Sequence, residues 1–551
     1  MPDDHAATTG PEPLSPPPAG GPARDVRVAL AAVLIFAVVS LVLNVTSTGF
    51  LEADGVTHYL YARWALAEPH LLTNVWGRPV VTTLHALPAQ LPGTIFGQPL
   101  ALVGVRCVSL LLAVGCALMC WRVATHQGPD HGHARPALAA IFLLAMPLVV
   151  LHSISELTEL PFAFLAIVAL WAYQGRTWWL LALTAGLLPA ARPEGFGFAL
   201  MAAGGLLLHR RWEAVLVALP LIVWDRLGWW QYGGRPGEWW QVTAWLRDNW
   251  PYSGESTYPS GPLLKFVGML PAVVGPAVLP FVLAGVWATC GTASPGAEAS
   301  PRAEAQEKPW REAEPGGHPV IGAGGEGGAD GDPATASPRS RTRSGEAVPR
   351  WRDHGTRVGW LVAFLPLFVL GVHSVLHWLG KMASSGDVRY LVCVAPFWAL
   401  LAARGWDWLS ARLNWRRDYL FAALAAAVPP ILMQIAYPIV PLAPDQPAKD
   451  AAAVARWYDD AGLRGRYPNL LTDHPMVWFY LDLNPQRSGG GQARVEAAEP
   501  GSLFLWHDVY STHNADARFV VRAEMPPRFG WRDATPQDFP PGWRAFATEP
   551  E

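Results

Sequence analysis

Apolar runs of similar length, separated by short polar breaks, organise most of the chain. They fall at 26–48, 101–122, 136–153, 158–174, 178–191, 195–209, 213–231, 263–289, 357–379, 389–404 and 418–441. Each is close to the ~20 residues that cross a hydrocarbon core of about 30 Å, with 178–191 and 195–209 the shortest. The first run, "VRVALAAVLIFAVVSLVLNV", is long for a secretory signal and ends without a small-residue cleavage pattern, so it reads as an uncleaved span. The pattern predicts an all-α polytopic membrane protein with about 11 transmembrane helices, its two ends on opposite sides.

Three stretches break the pattern. Residues 1–25 are polar and Pro-rich, and 291–356 are Gly, Pro, Ala, Glu and Arg with little apolar content; both read as disordered. Residues 443–551 differ. "YPNLLTDHPMVWFYLDL", "GSLFLWHDVYS" and "ARFVVRAEM" carry short β-prone runs, and "DAAAVARWYDDAGL" has helical spacing, which predicts a small α/β domain. The organisation expected is a tail (1–25), a transmembrane module (26–290) with a first external loop at 49–100, a loop (291–356), further transmembrane helices (357–442) and the terminal domain (443–551). No internal repeat of fixed period is visible.

Composition sharpens this picture. Hydrophobic residues make up 51% and charged residues 15%, too few charges for an ordinary soluble protein. Many of the 28 tryptophans sit at the ends of apolar runs, as at membrane interfaces. The net charge of −3 gives no reason to expect a nucleic-acid partner. The five cysteines lie in or beside apolar runs without metal-ligand spacing and read as small core residues. Arg24, Arg27, Arg122, Arg135, Arg176, "HRRW" (209–212), Arg350 to Arg357 and "RLNWRR" (412–417) fall in alternate loops. The positive-inside rule makes that set cytoplasmic. The N-terminus is then cytoplasmic and the terminal domain extracytoplasmic, in a cytoplasmic (inner) membrane.

The opposite set of loops holds the conspicuous charges. In "LEADGVTHYLYARWALAEP" Asp54 is positioned to cap a helix running to Pro69, with Val56, Leu60, Trp64 and Ala67 on one face and Asp54, His58 and Tyr61 on another. An interfacial helix fits; Glu52, two residues from Asp54, needs a further reason. In "ISELTELPFAF" a helical turn sets Glu156 and Glu159 on one face, either as solvated acids or relieved by a cation, an arginine or a shared proton. Pro193 breaks "LLPAARPEGFGFAL" at Arg192, leaving Arg192 and Glu194 as a local ion pair or a cavity lining. Lys381, Asp387 and Arg389 precede another apolar run, with Arg389 at its mouth, where arginine either snorkels or grips phosphate. A lone His58 is most simply a packing residue.

In order along the chain, the first span with its acidic loop, "WGRPVVTTLHAL", "SELTELPFAF", "ARPEGF" and "VRYLVCVAPFWALL" together resemble the C-type (GT-C) glycosyltransferases, nearest the protein-O-mannosyltransferase and aminoarabinose-transferase group. The resemblance runs over roughly 26–440 and implies a polyprenyl-phosphate sugar donor, membrane lipids as surroundings, and a protein, glycolipid or polysaccharide acceptor outside the cytoplasm. It implies Asp54 as general base with Glu52 beside it, and inversion at the anomeric carbon. Phosphate binding falls to Arg389, then Lys381, Arg192 and Arg78. Glu156, Glu159, Glu194, His58 and Tyr59 would position the acceptor. The resemblance fixes no cofactor; a divalent cation, magnesium or manganese, has Glu156 and Glu159 as its candidate ligands. Relatives often carry an Asp-Glu pair where this chain reads Asp54-Gly55. A transporter or lipid flippase, or an inactive relative serving in assembly, are the competing readings.

Overall fold

The computed structural model describes residues 21–127, 135–235, 241, 243–250, 258–291, 354–381, 386–413, 419–513 and 519–549. Most of the 1–25 and 291–356 stretches, and part of 229–262, lie outside the described residues. The long helix α1, Gly21–Thr46, begins within the stretch expected to be disordered.

A loop rich in short elements follows: α2 (Ala53–Trp64), α3 (Pro79–Ala86), and an antiparallel pair β1 (Thr94–Ile95) and β2 (Gln98–Pro99). The bundle continues through α4 (Leu100–Gln127), α5 (Ala137–Leu144), α6 (Pro147–His152), α7 (Glu159–Gln174), α8 (Trp178–Ala191), α9 (Gly195–Leu208), α10 (Leu219–Gln231) and α11 (Ala244–Asn249). Next come α12 (Lys265–Val274), α13 (Leu279–Gly291), α14 (His354–Leu379), a 3₁₀ turn at Val388–Val394 leading into α15 (Ala395–Leu413), and α16 (Tyr419–Ala436). Among the described residues five helices are long and apolar enough to cross a membrane, or six if α12 and α13 form one bent span. Two runs expected as single helices are broken. Pro147, with no N–H to donate, starts α6 afresh after α5, and α12 meets α13 at a 111° bend.

Polar contacts fix the two ends of the bundle. At one end Asp25 accepts hydrogen bonds from Tyr419 Oη (2.5 Å), Trp121 Nε1 (2.8 Å) and the Ala137 amide (3.0 Å), tying together the starts of α1, α5 and α16 and the end of α4. At the other end the Leu442 amide donates to Ser47 Oγ (2.9 Å) and the Gly49 amide donates to the Leu442 carbonyl (2.8 Å). Helices α1 and α16 therefore point the same way, and residues 443–549 sit at the end of α1 remote from its N-terminus.

That C-terminal part opens with α17, Gln446–Asp460, and carries β3 (Asn469–Thr472), β4 (Ser502–His507), β5 (Arg532–Asp533) and β6 (Trp543–Ala547) in the order β3-β4-β6-β5. Strands β3 and β4 are parallel, with Leu471 opposite Phe504; the other pairs are antiparallel. "MVWFY", expected as strand, is the helix Pro475–Tyr480, with Pro475 at its first turn and His474 Nδ1 accepting from the Met476 amide. Of "ARFVV", Ala517 and Arg518 lie outside the described residues, and Phe519–Val521 form no strand: the Val521 carbonyl accepts from Trp506 Nε1 (2.7 Å) rather than from a neighbouring strand. One sheet face shares a core with α17, the helix Pro475–Tyr480 and Val56, Tyr59 and Leu60 of α2.

This changes the reading of α2. It is buried nearly all round, including Thr57, His58, Tyr59 and Ala62, so it is not an amphipathic helix lying in the membrane surface. It ends at Trp64, short of Pro69. Of the cysteines, Cys290 is exposed and Cys107 is half-buried, whereas Cys116, Cys120 and Cys393 are buried as expected.

Candidate active site

The site lies where the loop after α1, the starts of α7 and α9, the turn before α15 and the C-terminal part meet. Its centre is Arg389. Asp387 holds it: one carboxylate oxygen accepts from the Arg389 amide (2.9 Å), capping the 3₁₀ turn, and the other lies 2.8 Å from Nε. Nη1 meets Glu52 at 2.6 Å, Nη2 donates to Asp54 Oδ2, and Glu159 approaches Nε at 3.7 Å. Four carboxylates thus surround one guanidinium, whose planar fork suits several acids at once.

Glu52 occupies the N-cap position of α2 yet makes no capping bond, and neither does Asp54, one residue inside the helix. Both carboxyls are directed to Arg389. Asp54 keeps 45% of its side chain open although protein atoms crowd it. Burial alone would raise its pKa, but Arg389 outweighs burial and holds the carboxyl below its ordinary value. Glu52 goes the other way: burial, only partly countered by Arg389, pushes it up to about 9.

The charges continue inward. Arg192 stands in extended conformation between α8 and α9, where Pro193 was expected to break the chain. Its guanidinium pairs with Glu159, donates to Thr158 Oγ1 (2.6 Å) and meets Glu194 at 3.1 Å; Glu194 in turn contacts His373 Nε2 at 3.1 Å. His152 lies 3.8 Å from Glu159.

Glu156 and Glu159 do not share one partner. Glu156, fully buried, pairs with Arg106 of α4, whose other nitrogens donate to the Ser47 (2.7 Å) and Gly49 (2.6 Å) carbonyls. Glu156 thereby shapes the loop carrying Glu52, while Glu159 serves Arg192 and Arg389. Among the described residues no three His, Cys, Asp or Glu side chains converge as metal ligands. A Cβ on Gly55 would come within 2.8 Å of Glu156 Oε2, so the second acid expected after Asp54 has no room here.

His58, one helical turn beyond Asp54, stacks on Trp76 at 4.8 Å; burial lowers its pKa to about 3, so it is neutral. Tyr59 points elsewhere, packing edge-on against Phe479 of the C-terminal part (5.9 Å), and does not join the site. Arg78 is buried over Trp250, with Nη1 donating to the Val75 carbonyl (2.9 Å), and stands on the His58 side rather than at Arg389. Lys381 is exposed and makes no ion pair among the described residues.

The sequence reading omitted Arg106 and Lys265. A single arginine inside an apolar run was the available signal for Arg106. Lys265 starts α12, and a Cβ on Gly386 would fall 2.4 Å from its Nζ, so it borders the Gly386–Arg389 turn; Gly386 itself has a φ of 76°. Lys265 makes no ion pair among the described residues. From the C-terminal part, Tyr510 faces the same acids: burial first, then Asp54, raise its phenol to about 12, and Glu52 adds to this. Away from these charges, an apolar groove of ≈ 750 Å³ runs between α1, α5–α6 and α16, with Phe36, Val39, Val150, Leu151 and Ile431 in its walls.

No protein-family model matches the chain, and no curated protein sequence does. Among solved structures it is similar to ArnT from Cupriavidus metallidurans bound to undecaprenyl phosphate. The TM-score is 0.51 at 13% identity, over 95% of this chain and 97% of that one. The fold is that of a GT-C glycosyltransferase. The oligosaccharyltransferase from Archaeoglobus fulgidus also matches, at 12% identity and a TM-score of 0.47, over 95% of this chain and 74% of that one.

Proposed function

We propose that the chain is a membrane glycosyltransferase that moves a sugar from a polyprenyl phosphate to an acceptor outside the cytoplasm, with inversion. The observation that carries this is Asp54: an ionised carboxylate with 45% of its side chain open, held against an arginine at one end of a membrane bundle. A carboxylate there can take the proton of an acceptor hydroxyl as the acceptor oxygen bonds to the anomeric carbon. The bond from that carbon to the phosphate oxygen breaks, its electron pair stays with the phosphate, and a cation stabilises the added charge.

Arg389 is the nearest cation, but Asp54, Glu52, Asp387 and Glu159 already contact it. The incoming phosphate has to replace one of them. If it replaces Asp54, that carboxylate loses the partner that keeps it a weak base, so donor binding and base activation are one event. Lys265 beside Gly386 is the second cation available to the phosphate, with Arg192 behind; Lys381 is exposed, and Arg78 is turned to the Val75 carbonyl and Trp250. The apolar groove suits a prenyl chain. Likeness in fold to a protein bound to undecaprenyl phosphate supports the same donor class. Eleven crossings with the N-terminus in the cytoplasm belong to this proposal, which places the C-terminal part over the acceptor, be it protein, glycolipid or polysaccharide.

Mass spectrometry of envelope glycans from cells with the protein, without it, and with Asp54→Asn tests the proposal. One sugar modification should vanish in the deletion strain and stay missing with Asp54→Asn, a loss on the scale of ~10²–10⁴ for a general base. Identical glycans in all three strains would refute it.

A further inference from the structure

The parallel strands β3 and β4 run into Asp473-His474 and His507-Asp508, so a histidine stands at the carboxyl end of each. In open α/β sheets that edge is where ligands bind. His474 Nδ1 accepts from the Met476 amide (3.3 Å), and His507 Nδ1 accepts from the amides of Val509 (3.2 Å) and Tyr510 (3.4 Å). A backbone amide can only donate, so each imidazole is neutral and carries its proton on Nε2. Neither Nε2 makes a hydrogen bond among the described residues, and that of His474 is buried. A buried donor is costly to leave unpaired, which marks this edge as a place for a bound acceptor group.

Two further rings complete the cluster. Tyr510 lies 4.3 Å from His474 and 5.4 Å from His507, and Trp543 lies 4.7 Å from each histidine. Trp543 and both histidines are buried, whereas Tyr510 is half-buried and its hydroxyl makes no hydrogen bond among the described residues. The cluster packs against the loop that carries Asp54. Trp543 and Met476 share a core with Val56, two residues beyond Asp54, and Phe479 meets Phe50 at 4.9 Å. Aromatic walls with a few neutral donors suit the C–H faces and hydroxyls of a sugar. An anionic group is less suited, because Asp54, Asp445 and Glu52 surround the Tyr510 phenol. A peptide pairs its main chain with a free sheet edge. At the end of β3 that edge is taken: Thr472 bridges to Gly489, and Asp473 accepts from the Gly490 amide (2.8 Å).

Resting on the sugar-transfer reading, we propose that the acceptor is a saccharide and that its terminal sugar binds at the carboxyl ends of β3 and β4. The sugar stacks on the Tyr510 ring, and its hydroxyls accept from Tyr510 Oη and from Nε2 of His507 and His474. Trp543, packed on both histidines, fixes their rings. A further hydroxyl of the same sugar faces Asp54, which takes its proton during transfer. The C-terminal part thus reads the acceptor while the bundle holds the donor, so changing Tyr510 weakens one without the other.

The test starts from the modification lost in the deletion strain, which linkage analysis should place on a saccharide hydroxyl. The unmodified acceptor extracted from that strain is then the probe. It is varied over a fixed amount of the strain's solubilised membranes, which supply the donor, with purified full-length native protein, Tyr510→Ala or Tyr510→Phe. Loss of the ring should raise the acceptor KM about tenfold and change kcat by less than about twofold. Tyr510→Phe, which keeps the ring and loses one hydrogen bond, should raise KM about threefold. Undecaprenyl phosphate should bind all three proteins alike; if Tyr510→Ala does not bind it, Tyr510→Phe decides. A native KM in a variant that binds undecaprenyl phosphate overturns the site, and a modification found on a peptide side chain overturns the saccharide. Either result leaves the sugar-transfer reading standing. A deletion strain that lacks no modification overturns that reading, and this proposal with it.

Discussion

Arg106 and Glu156 illustrate how one buried pair positions a site it does not join. Both are fully buried, and Arg106 spends its remaining donors on the carbonyls of Ser47 and Gly49, just before Glu52. Removing one partner of such a pair leaves an uncompensated charge in the interior, at a cost of ~3–5 kcal/mol. Arg106→Met should therefore melt well below native protein in detergent, and Arg106→Met combined with Glu156→Leu should recover part of the loss. A single variant that melts like native protein would contradict this. Gly55 follows the same logic. Gly55→Glu would drive a second carboxylate toward Glu156 and is expected to lower the melting temperature further than Gly55→Ala. Much of the candidate site was legible at this scale, because charges are scarce in a chain so apolar: Glu52, Asp54, Glu159, Arg192, Glu194 and Arg389 stood out and do meet. Which acid serves which arginine was not legible. The separation of Glu156 from Glu159 depends on Arg106, which belongs to a helix 50 residues away in sequence.

At the level of elements, α2 owes its place to two partners. Its aromatic and aliphatic residues complete the core of the C-terminal part, and its first turn delivers Asp54 to Arg389. The alternation of apolar and polar positions suggested a helix with a free polar face; burial of that face under Trp76, which meets His58 and Tyr61, cannot be read from local spacing. Strands β5 and β6 were missed because they are short and lack long β-branched runs. The sheet region also carries a pH prediction. Burial raises the Asp473 carboxyl from 3.8 to about 7, against the pull of the Gly490 amide and Ser511. Between those values the folded form binds a proton that the unfolded form releases, so stability falls as pH rises. Native protein should melt at lower temperature at pH 8 than at pH 5, and Asp473→Asn should flatten that difference. An unchanged slope in the variant would count against the assignment.

For the molecule as a whole, the charges of the candidate site gather at the end of the bundle where the C-terminal part packs, opposite the end held by Asp25. Because α1 and α16 point the same way, the start of the one and the end of the other lie at opposite ends of the bundle. Breaks at Pro147 and between α12 and α13 turn expected single helices into broken pairs. The account rests on Asp54 and Arg389 acting together on a lipid-linked phosphate. The measurement that tests it most directly is an experimental structure of the full-length protein with undecaprenyl phosphate bound. The account predicts the phosphate between Arg389 and Lys265, Arg389 drawn off Asp54, and the prenyl chain in the groove beside α1. A phosphate bound elsewhere, with the Arg389 and Asp54 contact intact, would contradict it.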